Sequence, residues 1–265
     1  MIGTVTDTAA EYDRFAEIYA VWTDTAASTC ANLAFYLDAY ARVDGPVVEL
    51  GVGDGRIAVP AAQAGQSIIG VDLSPTMLAL CQRRADEAGV GDRLTLMQAD
   101  FCGFQLDAPA ALIALPYHSI GHLLTLDDKR RAMAHVFSQL RPGGLFIFDD
   151  FLMTRDLLAH MQQVQLRAEY RSAAGADMLL WVTSLIDAAA QLIRVITWED
   201  ELADDGRLAN RRYRRLSLSW LTPLQARTLL TDVGFLVEAC YGDFVGTPFS
   251  PDIAREQVWV ARRPL

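Results

Sequence analysis

The chain has 265 residues, of which 52% are hydrophobic and 21% are charged. This balance is typical of a globular protein with a sizeable core and excludes the disordered and fibrous classes. The formal net charge is −10, which disfavours nucleic acid as a partner because phosphate backbones are also negative. Lys129 is the only lysine. We interpret this as the codon bias of a GC-rich genome rather than as a functional signal.

The sequence shows neither a membrane span nor a signal peptide. No apolar run reaches the roughly 18 residues that a span requires, and residues 1–10 lack a basic stretch followed by an apolar one. The four cysteines are scattered without a Cys-x-x-Cys pair, which is typical of reduced thiols. We therefore expect a cytoplasmic protein with no membrane partner, no metal site and no disulfide framework.

Strand and helix patterns alternate over the first 150 residues, beginning with two helices predicted over 9–42. The predicted strands are continuous apolar runs, which indicates burial on both faces and therefore a parallel sheet in an α/β domain. Arg141-Pro142-Gly143-Gly144 is predicted to be a turn that ends the last helix of this region. The strands are expected at 47–50, 66–72, 94–98, 110–115 and 145–149.

After Thr154 the pattern changes to successive strands without helices between them. These strands are predicted at 179–186, 192–198 and 211–220, and Asp204-Asp205-Gly206 is a hairpin turn signal. They form a small antiparallel insert at about 155–220. A helix from Thr222-Pro223 to Gly234 and two last strands, at 235–239 and 257–261, return to the first pattern.

The strongest motif is the turn Glu49-Leu50-Gly51-Val52-Gly53-Asp54-Gly55-Arg56, after the first strand. Glycines let the backbone approach a ligand closely, and the N-terminus of the following helix favours an anion. A dinucleotide-binding fingerprint needs a third glycine where Arg56 stands, which argues against a nicotinamide or flavin dinucleotide. The alternative interpretation is a tight turn that binds no ligand.

Carboxylates follow the second and third strands. Asp72 ends the second strand 19 residues after Gly53, where a carboxylate can accept both hydroxyls of a ribose. Asp100-Phe101 follows the third strand, where a carboxylate and a backbone N–H can bind an adenine ring. The alternatives are a helix-capping acid before Ser74-Pro75 and an ordinary turn at the end of a strand.

Taken in order, these segments resemble class I S-adenosylmethionine-dependent methyltransferases. The matching segments are VVELGVGDGRIA, IIGVDLSPTML, LMQADF, SIGHL, LRPGGLFIFDDF and LTPLQARTLLTDVGF. The chain is most similar to small-molecule N- or O-methyltransferases of natural-product pathways, including the dimethylating enzymes of nucleotide-linked amino sugars. Leu115-Pro116-Tyr117-His118 departs from the Asn/Asp-Pro-Pro-aromatic motif of nucleic-acid amino-methyltransferases. Asp149-Asp150 alone does not supply the ligands of the metal-dependent catechol branch.

The resemblance implies one Rossmann-like methyltransferase domain over 1–265. Its seven-stranded, mostly parallel sheet would have the order 3-2-1-4-5-7-6, with the last strand antiparallel. The implied parts are an N-terminal helical lid at 1–44, a core at 45–154 and 221–265, and the insert at 155–220, which would wall the acceptor pocket.

The resemblance also implies S-adenosyl-L-methionine as the cofactor and assigns the site residues. His122, in Ser119-Ile120-Gly121-His122, matches a catalytic-site histidine of the amino-sugar enzymes, although a histidine there can also brace the loop. Tyr12 and Tyr19 of the lid are the other catalytic candidates, on a helical stripe that a core would equally explain. Candidate substrate residues are Tyr117, His118, Asp149 and Arg215. The cofactor-binding candidates are Glu49, Gly51, Gly53, Gly55, Arg56, Asp72, Leu73, Met77, Asp100, Phe101 and Leu115.

We therefore expect methyl transfer from S-adenosylmethionine to a nitrogen or oxygen of a small-molecule acceptor, with homodimer formation left open. His122 would either accept a proton, with an ordinary pKa near ~6.5, or orient the acceptor. Two rival hypotheses remain at this stage: a non-catalytic protein that binds the same cofactor, and a dinucleotide-dependent oxidoreductase.

Overall fold

The computed structural model describes residues 13–14, 18–19, 21–23, 28–172 and 174–265. The chain forms two compact units. The larger unit comprises residues 28–152 and 220–265, and the smaller one comprises residues 153–219 with the N-terminal segment.

The helices and strands follow one another in the order that the sequence pattern predicts, with additions described below. In the larger unit they are α1 (Ser28–Ala41), β1 (Val47–Leu50), α2 (Ala58–Gln63), β2 (Ile68–Asp72), α3 (Pro75–Glu87), a 3-10 turn (Gly91–Arg93), β3 (Leu94–Gln98), β4 (Ala110–Leu115), a second 3-10 turn (Ser119–His122), α4 (Leu126–Gln139) and β5 (Leu140–Phe151). The smaller unit contains α5 (Arg155–Met161), β6 (Gln165–Arg171), β7 (Asp177–Asp187), β8 (Leu192–Leu202) and β9 (Leu208–Ser219). The chain then returns to the larger unit with α6 (Pro223–Val233), β10 (Leu236–Tyr241) and β11 (Glu256–Arg262).

The larger unit has a seven-stranded sheet in the order β10-β11-β5-β4-β1-β2-β3. The first five strands are parallel to one another, and β11 lies antiparallel between β5 and β10. Because β10 and β11 are the sixth and seventh strands of this sheet, the expected order 3-2-1-4-5-7-6 is confirmed. The Rossmann-like fold class is confirmed with it.

Both faces of this sheet are covered, as the continuous apolar strands predict. In β1, Val48 and Leu50 pack into one hydrophobic cluster, whereas Val47 packs into a second cluster on the other face. In β4, Ile113 packs into the first cluster and Leu112 into the second. Successive side chains of a strand point to opposite faces, so a strand in the middle of two helical layers has to be apolar throughout.

Local signals in the sequence determine where the helices begin. Ser74 caps α3 by accepting a hydrogen bond from the Met77 N–H, and Pro75 occupies the first turn. Thr222 and Gln225 form a capping box at the start of α6, which ends at Gly234 in the left-handed conformation.

The predicted turn at Arg141-Pro142-Gly143-Gly144 is wrong, because the structure includes these residues in β5. The register against β4 shifts there, from Ala110 opposite Leu140 to Leu112 opposite Leu145. The Gly143 N–H donates to the Arg263 carbonyl at 2.9 Å, and the Arg263 N–H donates to the Gly144 carbonyl at 2.9 Å. The end of the chain therefore supplies the partners that keep this segment in the sheet.

The smaller unit contains a four-stranded antiparallel sheet in the order β6-β7-β8-β9, one strand more than the three predicted. The additional strand, β6, has the polar sequence QLRAEYR, which lacks a run of apolar residues because it lies at the edge of the sheet. The hairpin signal at 204–206 is confirmed, since the Ala203 N–H donates to the Arg207 carbonyl at 2.8 Å. Within the described part of the chain, no helix is both long and apolar enough to cross a membrane.

Candidate functional site

The candidate site lies along one edge of the seven-stranded sheet, where the parallel strands end. The glycine turn follows β1, Asp72 ends β2, and residues 117–122 follow β4. Because β11 is antiparallel to β5, its first residue, Glu256, lies at the same edge and pairs with Phe151. Open α/β sheets bind their ligands at the carboxyl ends of the strands.

The turn after β1 has a backbone that only glycine adopts without strain. Gly51, Gly53 and Gly55 have φ angles of 66°, 56° and 80°. A Cβ atom at Gly51 would lie 3.0 Å from the Ser119 Oγ, and one at Gly55 would lie 2.6 Å from the Cys81 Sγ. The turn therefore presents main-chain atoms rather than side chains to whatever approaches the edge.

Asp72 joins the loops that follow β1 and β2. Its Oδ2 accepts a hydrogen bond from the Gly53 N–H at 2.9 Å, and its Oδ1 accepts one from the Ser74 N–H at 2.9 Å. Asp72 is buried, with 7% of its surface exposed. Ser74 rather than Asp72 caps α3, and Asp72 joins the turn after β2 to the glycine turn.

The remaining cofactor candidates differ in exposure. Leu73 is exposed, and Met77 and Leu115 are fully buried. Asp100 is exposed, and its Oδ1 accepts a hydrogen bond from the Cys102 N–H at 2.6 Å. Phe101 is half-buried, packs against the core, and would lie 3.5 Å from a Cβ at Gly51. Phe101 and the glycine turn are thus brought together.

Arg56 connects the glycine turn to two other segments. Its Nη2 donates to the Asn32 Oδ1 of α1 at 2.6 Å, and its guanidinium lies 5.0 Å from the centre of the Tyr117 ring. This cation–π contact places Tyr117, a candidate substrate residue, beside the predicted cofactor turn.

Two tyrosines of α1 donate to carboxylates of the sheet, an arrangement that the sequence analysis missed. The Tyr36 hydroxyl donates to Asp149 Oδ1 at 2.5 Å, and the Tyr40 hydroxyl donates to Glu49 Oε2 at 2.9 Å. Burial raises the pKa of Glu49 to about 8, although the Tyr40 hydrogen bond lowers it in part. Asp149 is 113 residues from Tyr36 along the chain, so no local pattern indicates this pair.

Asp149 holds the loop after β4 in a strained conformation. Tyr117 and His118 have φ angles of 59° and 56°, a left-handed conformation that side chains other than glycine rarely adopt. The fully buried Asp149 carboxylate accepts hydrogen bonds from both backbone N–H groups at 2.9 Å. Strain held by buried hydrogen bonds is a common feature of functional sites.

His118 lies between two carboxylates. Its Nδ1 is 3.4 Å from Asp149 Oδ2 and its Nε2 is 3.8 Å from Glu256 Oε2, while its ring stacks on Phe151 at 3.7 Å. Burial lowers the pKa of His118, and Asp149 opposes that effect. Burial raises the pKa of Glu256 to about 8, and the charges of Asp149 and Asp150 raise it further. Glu256 was not among the predicted site residues, because the last strand was predicted to begin one residue later, at 257, whereas β11 begins at Glu256.

His122 is the last residue of the 3-10 turn that follows this loop. Burial lowers its pKa to about 4, and the charge of Lys129 adds to the effect. Our expectation of an ordinary pKa near ~6.5 is therefore wrong. Its imidazole is neutral at physiological pH and can accept a hydrogen bond or a proton.

Two other candidates, Tyr19 and Arg215, belong to the smaller unit. Tyr12 lies outside the described residues, and Tyr19 is buried. Arg215 is exposed on β9, whereas its neighbour Arg214 is buried and pairs with Glu199, with Nη1 and Oε2 2.5 Å apart. A cavity of about 370 Å³ in this unit is lined by Tyr170, Ser172, Ala174, Met178, Glu199, Glu201, Asn210 and Arg212.

The donor set at the edge of the larger sheet fits a cationic nucleoside better than a metal. Glycine main-chain atoms and the Asp72 carboxylate can bind amino-acid and ribose groups, while Glu49 adds a second acid beside the turn. Among the described residues, no group of three or more His, Cys, Asp and Glu side chains is arranged to hold a metal ion.

The fold is the Rossmann-like methyltransferase fold. Residues 47–144, somewhat more than a third of the chain, match the family described as "Methyltransferase domain". The matched residues run from β1 into β5 and contain the glycine turn, Asp72 and the whole loop after β4.

Methyltransferases are found both among the sequence relatives and among the solved structures that are similar to this chain. The putative methyltransferase YqeM of Bacillus subtilis is 27% identical over 114 residues, which are 43% of this chain and 45% of that protein. The chain thus spans less than half the length of the curated relatives it matches.

Solved structures are similar over the whole chain. The CcbJ methyltransferase from Streptomyces caelestis has a TM-score of 0.81 and 20% identity, over 98% of this chain and 100% of that one. CalS10 from Micromonospora echinaspora, an amino pentose methyltransferase solved with bound S-adenosylmethionine, has a TM-score of 0.67 and 17% identity, over 99% and 100%. At these identities the likeness concerns the fold.

Proposed function

We propose that the protein transfers a methyl group from S-adenosylmethionine to a nitrogen or oxygen of a small-molecule acceptor. The observation that supports this most is the pairing of the glycine turn with Asp72, through the Gly53 N–H, at the edge that also carries His118 and His122. A cofactor site and groups able to handle an acceptor proton thus share one sheet edge.

The cofactor, when bound, supplies an electrophilic methyl group on its sulfonium. In this chain Gly51, Gly53 and Arg56 would bind its methionine end, Asp72 its ribose, and Asp100 with Phe101 its adenine. Because Asp72 already accepts two backbone hydrogen bonds, its carboxylate is oriented before a ligand binds. Preorganised acceptors of this kind lower the entropic cost of binding.

The acceptor needs to be held in line with the methyl group and kept from water. His122 is the candidate for this role, since burial keeps its imidazole neutral. A neutral imidazole can orient an amine or hydroxyl by a hydrogen bond and take its proton as the new bond forms. Tyr12 and Tyr19 remain candidates for the same step.

The acceptor class follows from similarity rather than from geometry. CalS10 acts on an amino pentose, and we extend that class to this chain as amino sugars and related natural products. Within this proposal the protein works in the cytoplasm in secondary metabolism, residues 155–220 determine acceptor preference, and homodimer formation stays open.

Two measurements test the proposal. Calorimetry should show binding of S-adenosylmethionine and S-adenosylhomocysteine but not of NAD. A screen of amino sugars, amines and phenols, read by the release of S-adenosylhomocysteine, should then identify an acceptor. Cofactor binding without turnover on any acceptor would favour a non-catalytic protein, and binding of NAD would contradict the assignment of the glycine turn.

A further inference from the structure

Lys129 occupies an unusual position for a basic residue in this chain. It is the only lysine among 23 basic residues, and it is 1% exposed within α4. Its neighbours on the helix, Arg130 and Arg131, are exposed and form ion pairs with Asp127 and Asp128. Removing an ammonium group from water is costly unless it is hydrogen-bonded and paired. The burial of this ammonium group, rather than the scarcity of lysine, indicates a specific role for Lys129.

The ammonium group of Lys129 contacts the turn that ends in His122. Its Nζ donates to the Ile120 carbonyl at 2.5 Å, and Ile120 is itself fully buried. The same carbonyl also accepts a hydrogen bond from the Leu123 N–H at 3.3 Å. This one oxygen atom therefore accepts both the hydrogen bond that follows the turn Ser119–His122 and the one from Lys129. A charge-assisted hydrogen bond to a buried carbonyl is among the stronger contacts available to hold a short turn.

Carboxylates act on Lys129 from two elements: Asp150 from β5 and Asp128 from its own helix. Asp150 is fully buried and also accepts hydrogen bonds from the Leu221 N–H at 2.7 Å and the Phe151 N–H at 2.8 Å. Burial lowers the pKa of Lys129, while these carboxylates oppose the change. The charge of Asp150, near the end of β5, therefore acts on the same ammonium group that donates to the histidine turn.

We propose that Lys129 is a positioning residue for His122: its ammonium, through the hydrogen bond to the Ile120 carbonyl, fixes the Ser119–His122 turn where the acceptor binds. This inference rests on the proposed function for the role of His122. The link between Lys129 and His122 is a property of the free protein. It can be measured without cofactor or acceptor. Lys129 itself need not touch either ligand.

The single lysine makes a direct measurement possible. Protein labelled with ¹³C at the lysine Cε carbon should give one lysine resonance, which reports the titration of Lys129 in the unmodified chain. We expect its midpoint clearly below the ordinary value of 10.5. The His122 ring resonances should show an inflection at the same pH, because loss of the lysine charge changes their environment. A midpoint near 10.5, or His122 resonances that do not respond, would overturn the proposal.

Substitution adds a second test with a matched control. Lys129→Met and Arg130→Met each remove one positive charge from α4, but only Lys129 contacts the turn. Lys129→Met should raise the pKa of His122 by about half a pH unit or more, since a like charge is removed. It should also lower kcat by about tenfold while leaving S-adenosylmethionine affinity nearly unchanged, because a displaced catalytic group affects the reacting geometry. Arg130→Met should do neither.

The outcomes separate this inference from the proposed function. A coupled titration of Lys129 and His122 in a protein that methylates no acceptor would contradict the function and support the link. Methyl transfer by the unmodified protein, together with an unchanged His122 pKa in Lys129→Met, would support the function and contradict the link. If Lys129→Met does not fold, the titration of the unmodified protein decides the question by itself.

Discussion

The edge of the large sheet has two halves that use their acidic residues differently. In the glycine half, residues 51–56 and 72–74, the Asp72 carboxylate accepts hydrogen bonds from backbone N–H groups. In the histidine half, residues 117–122, 149–150 and 256, Asp149 also accepts from the Tyr36 hydroxyl and lies beside an imidazole. The first half is organised by backbone shape, and the second by buried titratable side chains.

This difference corresponds to the two tasks of a group-transfer enzyme. A cofactor of constant structure can be recognised by main-chain atoms and one fixed carboxylate. An acceptor that loses a proton requires control of protonation, which burial and neighbouring charges provide. The displaced pKa values of His118, His122 and Glu256 all belong to the histidine half.

The largest expected effect is on stability, in the histidine half. Asp149→Ala leaves the Tyr36 hydroxyl and the N–H groups of Tyr117 and His118 buried without this acceptor. The free energy of unfolding should fall by about 3–5 kcal/mol, as measured by urea denaturation. Tyr36→Phe, which removes one of the three donors, should cost only about 1 kcal/mol. An equal loss for both variants would show that the strained loop does not depend on Asp149.

The glycine half should respond mainly in affinity. Asp72→Ala should weaken binding of S-adenosylmethionine by about 2–4 kcal/mol in calorimetry, through lost charge-assisted hydrogen bonds to the ribose. Because Asp72 also braces Gly53 and Ser74, Asp72→Asn is the better-matched variant, since it keeps an acceptor oxygen. Unchanged affinity in a folded Asp72→Asn or Asp72→Ala protein would show that the ribose binds elsewhere.

Substitutions of His122 test whether its imidazole takes a proton from the acceptor or only orients the acceptor. General-base catalysis typically contributes about 10²–10⁴ in rate, so a base would lose about a hundredfold or more in both His122→Ala and His122→Gln. We expect the orienting role with modest base character, in which His122→Gln keeps most of the turnover. The wild-type rate should fall only as the pH approaches about 4, where the buried imidazole becomes protonated. If Tyr12→Phe or Tyr19→Phe reduces the rate and both His122 variants do not, the catalytic group is a tyrosine.

The smallest effect is expected at Glu49, which lies just before the glycine half and also has a displaced pKa. Its folded-state pKa of about 8 lies above the ordinary 4.5, so its contribution to stability is fully present below pH 4.5 and is lost as the pH rises from there to 8, because the unfolded chain ionises first. At pH 5, Glu49→Gln should therefore change the free energy of unfolding by less than about 1 kcal/mol. Between pH 5 and 8 the variant should become progressively the more stable protein. A constant difference between pH 5 and 9 would mean that Glu49 is ionised throughout.

The order of the strands could be predicted because apolar runs and turn residues act locally. The six-residue run Ala110–Leu115 and the capping signals at Ser74 and Thr222 appear in the structure where the pattern places them. The errors occurred where long-range pairing outweighs local preference. Arg141-Pro142-Gly143-Gly144 has the residues of a turn, yet hydrogen bonds to Arg263 keep it in β5.

The same distinction holds for the candidate site. The sequence by itself determined the glycine turn and the carboxylate at the end of β2, because both depend on a few neighbouring residues and their backbone angles. Only the tertiary structure decided that Tyr36 bonds to Asp149, that Glu256 lies beside His118, and that the single lysine contacts the histidine turn. These contacts join residues that are distant in the chain or on different elements, and burial then displaces their pKa values, which no local pattern records.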